Sequence, residues 1–144
     1  MSGYSQVLIA VDLTDDSPKV VQRGLEIAGR YGAKLSLLHV VEFIPVDPAG
    51  EALLPPPVDL ERELVQGARQ RLDDLCANLG LKDAPRRVEI GVIKIEIVKA
   101  AVEVKADLIV LGSHERHGLA LLLGSTEKAI LHKAPCDVLA VRLR

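Results

Sequence analysis

Aromatic residues are scarce in this sequence: they make up 2% of its 144 residues, whereas hydrophobic residues of all kinds make up 49%. The core must therefore be built from aliphatic side chains. Cysteine is also rare, and Cys76 and Cys136 lack the spacing of a disulfide framework or a zinc site. No apolar run approaches the ~20 residues that a membrane-spanning helix requires. No charged-then-apolar signal sequence opens the chain.

A strong excess of either charge is missing as well, since 18 basic and 20 acidic residues give a net charge of −2. Such a chain lacks the basic surface that nucleic acids and anionic membranes attract. Its length suits a single domain with a real core, here taken as residues 1–144. These absences predict a cytoplasmic protein that acts on neither nucleic acid nor membrane.

What the chain does contain is an alternation of short apolar segments with amphipathic ones. The predicted strands are residues 6–12, 34–41, 87–90, 108–111 and 137–142. The predicted helices begin after Ser17, at Leu60, near Lys94 and at Glu127. Strands that are apolar on both faces and alternate with helices indicate a parallel sheet covered on both sides. The fold class is therefore α/β, with an open twisted sheet of five parallel strands.

The first two helices have clear start signals and apolar faces. Ser17 is predicted as the N-cap of the first helix, with Pro18 at its first helical position. The apolar stripe of this helix reaches Tyr31. The second helix carries its apolar residues at positions 60, 64, 68, 72, 75 and 79 and ends at Gly80.

The stretch from residue 88 to residue 98 is ambiguous, because its alternation of polar and apolar residues also fits one long strand. The residue preferences of Ile93 to Val98 favour that strand. We nevertheless predict a break at Gly91 followed by a helix, because Ile97, Ala101 and Val104 then share one face.

A candidate ligand site lies near the end of the chain. The apolar run 108–111 stops at Gly112, and Gly124 precedes Ser125, Thr126 and a new helix. Helix N-termini favour anions, and glycine lets the backbone approach a phosphate. In a parallel α/β sheet, ligands bind beyond the carboxyl ends of the strands, where the strand order reverses. Asp12 and Gly112 are expected to meet there.

A proline-rich segment, residues 43–58, separates the second strand from the second helix and holds five of the eight prolines. It is incompatible with long regular structure. Two interpretations stay open: a covering loop, or a lid or partner-binding segment that uses Leu53, Leu54 and the Pro-Pro-Pro run.

The sequence motifs give little support for a catalytic function. Gly112 and Gly118 are one residue too far apart for a P-loop, and Leu119 stands where its lysine would be. Ser113 lacks a base and an acid to activate it, and His114 and His117 lack partners at metal spacing. A phospho-accepting receiver domain would need an aspartate after the third strand, where Ile90-Gly91 stands. His39, on a buried strand, is interpreted as a core histidine. The protein is predicted not to be an enzyme.

Four segments together resemble the universal stress protein family over essentially the full length. They are VLIAVDLTDDS near the start, LSLLHVVE, VKADLIVLGSH, and the closing LLLGSTEKAILHKAPCDVLAVR. The resemblance implies a sheet in the order 3-2-1-4-5, of the adenine nucleotide alpha hydrolase-like type. It also implies a stress-response role, dimerisation through the last strand and, in one branch of the family, ATP binding.

The resemblance assigns a set of candidate binding residues to the cleft. They are Ala10, Asp12, Val40, Leu111, Gly112, His114, Glu115, Gly118, Gly124, Ser125 and Thr126. The implied ligand is ATP or AMP, with no metal beyond Mg²⁺ accompanying ATP. Asp12 is expected to contact the ribose or the adenine, although an aspartate there also fits a simple helix or turn cap.

The chain departs from the nucleotide-binding pattern Gly-x2-Gly-x9-Gly-[Ser/Thr] at Glu115. This residue replaces the second glycine, and eight residues rather than nine follow it. At ~5 Å and an effective dielectric of ~20, a carboxylate would oppose one phosphate charge by roughly 3 kcal/mol, a factor of ~10² in affinity. Arg116, His117 and Gly118 are available to offset part of this. A regulatory adenine-nucleotide protein and an interaction module without nucleotide therefore both stay open.

The last predicted strand, within residues 136–143, would lie at a sheet edge. An apolar edge with unpaired backbone groups pairs readily with a second copy of itself. The residues themselves thus also predict a homodimer through this strand.

Overall fold

The computed structural model describes residues 3–42, 58–114 and 125–143. In these ranges, strands and helices alternate as predicted. The elements are β1 (Gln6–Ala10), α1 (Ser17–Tyr31), β2 (Lys34–Glu42), α2 (Val58–Asn78), β3 (Arg86–Gly91), α3 (Ile93–Glu103), β4 (Leu108–His114), α4 (Ser125–Lys133) and β5 (Asp137–Leu143). Of the proline-rich segment 43–58, only Val58 falls inside the described residues.

All five strands are parallel and lie in the order β3-β2-β1-β4-β5, which confirms the order that the resemblance implied. At the centre of the sheet, Ile9 of β1 aligns with Leu37 of β2 on one side and with Val110 of β4 on the other. The strand order reverses between β1 and β4. The carboxyl ends of these two strands therefore form the switch point, where ligands bind in such sheets.

The core has two layers, one on each face of the sheet. Val7 and Ile9 of β1 pack with residues of α1 and α2, whereas Leu8 packs with residues of α3 and α4. The buried hydrophobic side chains among the described residues are aliphatic apart from Cys76, as predicted. At Gly24 a Cβ atom would lie 2.4 Å from Ile9 Cδ1, so the absence of a side chain allows α1 to pack closely on β1.

The predicted break before α3 is confirmed. Gly91 ends β3 with φ +152°, a conformation that favours glycine, and α3 begins at Ile93. The helical interpretation was correct although the residue preferences favoured a strand. Burial of Ile97, Ala100 and Ala101 against the sheet explains why, since tertiary packing outweighs intrinsic propensity.

The predicted start of α1 was wrong by one residue. Asp16 is the N-cap and makes no side-chain capping hydrogen bond, while Ser17 is already helical. The Ser17 hydroxyl instead donates to Asp12 Oδ1 at 3.1 Å. β1 also ends two residues before the predicted boundary at Asp12, because the chain turns after Val11 to bring Asp12 towards α1.

Three residues predicted on apolar helix faces are exposed instead. Tyr31 is 52% exposed, and Leu60 and Leu64 are 44% and 47% exposed. Tyr31 packs edge-on against Tyr4, with ring centroids 5.2 Å apart. Leu60 and Leu64 lie in the first two turns of α2, a helix of 21 residues or about 31 Å. No described helix is both long and apolar enough to cross a membrane.

Candidate ligand-binding cavity

A cavity of about 270 Å³ opens at the switch point, beside the carboxyl ends of β1 and β4. Strand ends and the N-terminal turns of α1, α3 and α4 together form its walls. Its lining residues are Ala10, Val11, Asp12, Val20, Leu38, His39, Val40, Ile93, Ile97, Leu111, Gly112, Thr126, Glu127 and Ile130.

The cavity brings together part of the predicted site. The predicted residues in its lining are Ala10, Asp12, Val40, Leu111, Gly112 and Thr126. His114 is the last residue of β4, and Ser125 is the first of α4. Glu115, Gly118 and Gly124 lie outside the described residues, so the hypothesis that Glu115 opposes phosphate stays a prediction.

The floor of the cavity is aliphatic. Leu38, Ile97 and Ile130 are almost completely buried and belong to the core layer between the sheet and the helices α3 and α4. Because these side chains come from three different elements, the floor is fixed by the core itself. A floor of this kind suits a flat, weakly polar group such as a purine base.

Asp12 lies at the rim, in the turn between β1 and α1. Its Oδ1 atom accepts hydrogen bonds from the Thr14 backbone N–H at 3.2 Å, the Thr14 hydroxyl at 2.8 Å and the Ser17 hydroxyl at 3.1 Å. A short polar side chain that bonds backbone two residues ahead is an Asx turn. Asp12 also belongs to the cavity lining, so this turn places it at the rim.

Two distant side chains hold the same turn. The ring Nδ1–H of His39 donates to the carbonyl of Val11 at 2.8 Å, and the guanidinium of Arg71 donates to the carbonyl of Leu13. Leu13 has φ +61°, a left-handed conformation that costs a non-glycine residue of order 1–3 kcal/mol. His39 is half-buried and lines the cavity, so it is a hydrogen-bonded histidine, as predicted, although it is not fully in the core.

Gly112 has a packing role that its expected role at a phosphate did not include. A Cβ atom at this position would lie 2.6 Å from Leu143 Cδ1 and 3.1 Å from Val20 Cγ2. The absence of a Cβ therefore lets Leu143 and Val20 pack closely against the backbone of β4. Because it has no side chain, Gly112 lines the cavity with backbone atoms alone.

The charge of the described lining is acidic. Asp12 and Glu127 supply carboxylates, His39 supplies the one imidazole, and neither lysine nor arginine occurs among the described lining residues. Sequence reasoning missed Glu127, which it had assigned only to the start of the last helix. Its position in the first turn of α4 was the available signal, because helix N-termini following parallel strands lie at the carboxyl edge of the sheet.

Ile93, Ile97 and Ile130 were also missed as lining residues. Ile93 and Ile97 are four residues apart and share one face of the first turns of α3. The predicted helix began near Lys94, so its apolar face contained Ile97 but left out Ile93. The rotation of the helix relative to the cavity is set by the whole packed layer. Local periodicity does not contain that information.

Other reactive groups are poorly placed for chemistry. Burial raises the pKa of the Cys76 thiol and of the Cys136 thiol, which keeps both in the unreactive protonated form. The described residues contain no group of three or more His, Cys, Asp or Glu side chains that could hold a metal ion. The prediction that the protein is not an enzyme stays a prediction.

Taken together, the fold and the cavity define an open parallel α/β protein with a ligand-sized cavity at its switch point. The sequence profile of the universal stress protein family matches residues 3–142. The chain belongs to the universal stress protein family.

Individual relatives agree with this assignment. Universal stress protein A homolog 1 of Coxiella burnetii (strain RSA 493 / Nine Mile phase I) is 40% identical over 141 residues, which cover 98% of each chain. The solved structure of UspA from Lactobacillus plantarum is 25% identical, with a TM-score of 0.71 over 99% of this chain and 100% of that one. A universal stress protein solved in complex with cAMP is also 25% identical, with a TM-score of 0.60 over 99% and 100% of the two chains.

Proposed function

We propose that this chain is a dimeric stress-response protein that binds an adenine nucleoside or nucleotide as a regulatory ligand in the switch-point cavity. The observation that carries the proposal is the cavity itself, with an aliphatic floor and the Asp12 carboxylate at its rim. The aliphatic floor suits the base. The carboxylate suits a sugar, because it can accept hydrogen bonds from the sugar hydroxyl groups.

The size of the cavity supports a small ligand. Its volume of about 270 Å³ lies just below the range of ~300–1,000 Å³ that is typical of ligand sites. A nucleoside-sized group would fill most of it. The phosphates of a longer ligand would then extend past Thr126 and Glu127 at the start of α4.

The relative that was solved with cAMP supports a nucleotide-type ligand, because it shares the fold over nearly the whole chain. The acidic rim predicts a preference for adenine ligands that carry fewer phosphates. A carboxylate at the end of the cavity where phosphates would extend opposes added negative charge. Adenosine and AMP are therefore expected to bind better, relative to ATP, than in a relative with an uncharged rim.

Calorimetric titration of the purified protein with adenosine, AMP and ATP tests the proposal. Ile93→Trp should block binding by filling the cavity, because Ile93 is a lining residue at the start of α3. Ile95→Trp is the matched control, since Ile95 is 56% exposed on the same helix. Failure of the parent to bind any of the three ligands, or equal binding by both tryptophan variants, would reject the proposal.

The homodimer is proposed to form through β5. This strand lies at the edge of the sheet and pairs with β4 on one side. Ala140 is exposed in the middle of β5, whereas Leu139 and Val141 pack partly against the core. Pairing with the same strand of a second copy would satisfy the backbone groups of the open edge.

Sedimentation at micromolar concentration tests the dimer. Ala140→Asp would place two like charges close together across the two-fold axis and should convert a dimer to monomers. Leu139→Asp and Val141→Asp are less clean because they also disturb core packing. A monomeric parent, or an Ala140→Asp variant that associates unchanged, would argue against this interface.

The alternative function, an interaction module without nucleotide, also has an observation in its favour. Leu60 and Leu64 are exposed one turn apart at the start of α2. Two neighbouring apolar side chains on one helix face offer a small contact surface for a protein partner. A chain that binds no nucleotide but loses a protein partner on Leu60→Ser and Leu64→Ser would support this alternative. In either case we expect no catalytic turnover, and a cytoplasmic location stays a prediction from composition.

A further inference from the structure

The turn that carries Asp12 is held at the residue on each side of it. The carbonyl of Val11 accepts a hydrogen bond from His39 Nδ1 at 2.8 Å, and the carbonyl of Leu13 accepts one from Arg71. The donors come from β2 and α2, which lie 28 and 58 residues along the chain from their acceptors. Asp12 is therefore located between two anchored peptide groups.

The hydrogen bond at Leu13 holds a backbone conformation that is itself unfavourable, which the hydrogen bond at Val11 does not. Leu13 is in the left-handed region at φ +61°, which an L-residue adopts only when its surroundings hold it there. Its side chain is buried with the core layer of α1 and α2, and its carbonyl is held by the Arg71 guanidinium. A charge-assisted hydrogen bond is stronger than a neutral one, so this contact is suited to holding a strained turn.

Arg71 does not belong to the described cavity lining, although it holds the turn that does. Its hydrogen bond to the Leu13 carbonyl connects it to the backbone next to Asp12. We propose that Arg71 is a positioning residue, which sets the orientation of Asp12 towards a ligand in the cavity. This inference rests on the proposed function, because it assumes that a ligand contacts Asp12.

The proposal connects α2 to the cavity. α2 has exposed residues along its length, and Arg71 is one of them. Movement of α2 relative to β1 would change the Arg71–Leu13 contact directly. The affinity of the cavity should therefore respond to changes on a helix that contributes no described lining residue.

A double-variant cycle with AMP as the probe tests the role of Arg71. Arg71→Met should weaken AMP binding about three- to tenfold in calorimetric titration, and by less than about 1.5-fold when Asp12 is already alanine. Arg71→Lys should recover part of the loss, because an ammonium can donate one hydrogen bond to the Leu13 carbonyl. Arg69→Met, an exposed arginine on the same helix, is the matched control and should bind as the parent does.

Two results would overturn the proposal: an unchanged AMP affinity in Arg71→Met, or an equal loss in the parent and Asp12→Ala backgrounds. The second would indicate a general structural role, since a residue that acts through Asp12 has nothing to orient once that side chain is removed. The coupling between the two positions is therefore the decisive quantity.

Amide hydrogen exchange separates this proposal from the proposed function. The Thr14 amide donates to Asp12 Oδ1, so it reports on the turn without any ligand. Arg71→Met should speed its exchange about three- to tenfold relative to Arg69→Met. If the parent fails to bind AMP while Thr14 exchanges faster in Arg71→Met, the ligand is wrong and Arg71 still holds the turn. If Thr14 exchange is unchanged, the positioning role itself is rejected.

Discussion

Asp12 lies beside the carboxyl ends of the strands, and Asp107 lies beside their amino ends. The two carboxylates accept similar hydrogen bonds from very different parts of the chain. Asp12 Oδ1 accepts from Thr14 and Ser17, within five residues. Asp107 accepts from the backbone N–H groups of Ser5 and Gln6 and from the Ser5 hydroxyl, at 2.8 to 3.0 Å and about a hundred residues away in the chain.

The difference indicates different roles for the two carboxylates. Asp107 joins the segment entering β1 to the segment entering β4, so it closes the amino edge of the sheet. Asp12 shapes a local turn beside the cavity at the carboxyl edge. Removing Asp107 should therefore mainly reduce stability, and removing Asp12 should mainly reduce ligand binding.

The largest expected effect is at Asp12. Asp12→Ala removes a carboxylate that is expected to accept hydrogen bonds from the ligand, and should weaken AMP binding by about 10- to 100-fold. Asp12→Asn should lose less, because its amide oxygen can still accept from Thr14 and Ser17. Calorimetry gives the affinities, and circular dichroism checks folding. If Asp12→Ala unfolds more readily than Asp107→Ala yet binds AMP normally, the assignment of ligand binding to Asp12 is wrong.

The second prediction is a loss of stability at the amino edge. Asp107→Ala should lower the free energy of unfolding by about 1–2 kcal/mol, since three hydrogen bonds are lost from a partly exposed site. Urea denaturation measures this loss. AMP affinity should stay at the parental value, and Asp83→Ala, at an exposed aspartate, is the control for removing a surface charge.

The stability from Asp107 should also depend on pH. Burial raises the pKa of this carboxyl, but the hydrogen bonds from Ser5 and Gln6 outweigh burial and leave the pKa below its ordinary value. A lowered folded-state pKa contributes stability that is complete above the unfolded-state value, ~3.9 for aspartate, and is lost as pH falls through the folded-state value. The gap between parent and Asp107→Ala should therefore shrink in acid, and a gap that grows would contradict this assignment.

These two aspartates also illustrate what could be predicted from the sequence. The alternation of elements and the break at Gly91 followed from local patterns, and Asp12 was placed at the switch point from its position after an apolar strand. The sheet order came from the family resemblance. The contacts of Arg71 with Leu13 and of Asp107 with Ser5 join segments far apart in the chain, and side-chain bonds of that kind leave no periodic signal.

The next prediction concerns Glu127, the second carboxylate at the carboxyl ends of the strands. Glu127→Gln removes the second carboxylate of the cavity and should tighten ATP binding about three- to tenfold, while adenosine affinity stays unchanged. Glu127 is half-buried, so the gain should decrease as salt concentration rises. Titration of both ligands at low and high salt measures it. An equal gain for adenosine and ATP would show that Glu127 acts on the base or sugar, and not on phosphate charge.

The smallest expected effect is at Tyr4, the other side chain that closes the amino edge. Its hydroxyl donates to Asp137 Oδ2 at 2.8 Å, and its ring packs against Tyr31. Tyr4→Phe removes the hydrogen bond and keeps the ring contact, so it should lower the free energy of unfolding by about 0.5 kcal/mol. The hydrogen bond to Asp137, together with a small effect of burial, raises the pKa of Tyr4, so the contribution should be lost as the hydroxyl ionises at high pH.

Because Asp137 begins β5, Tyr4→Phe also tests whether the amino edge and the proposed dimer strand are independent. Unchanged sedimentation with a slightly lower stability would keep them separate, whereas loss of the dimer would show that the contact between Tyr4 and Asp137 positions β5 for pairing.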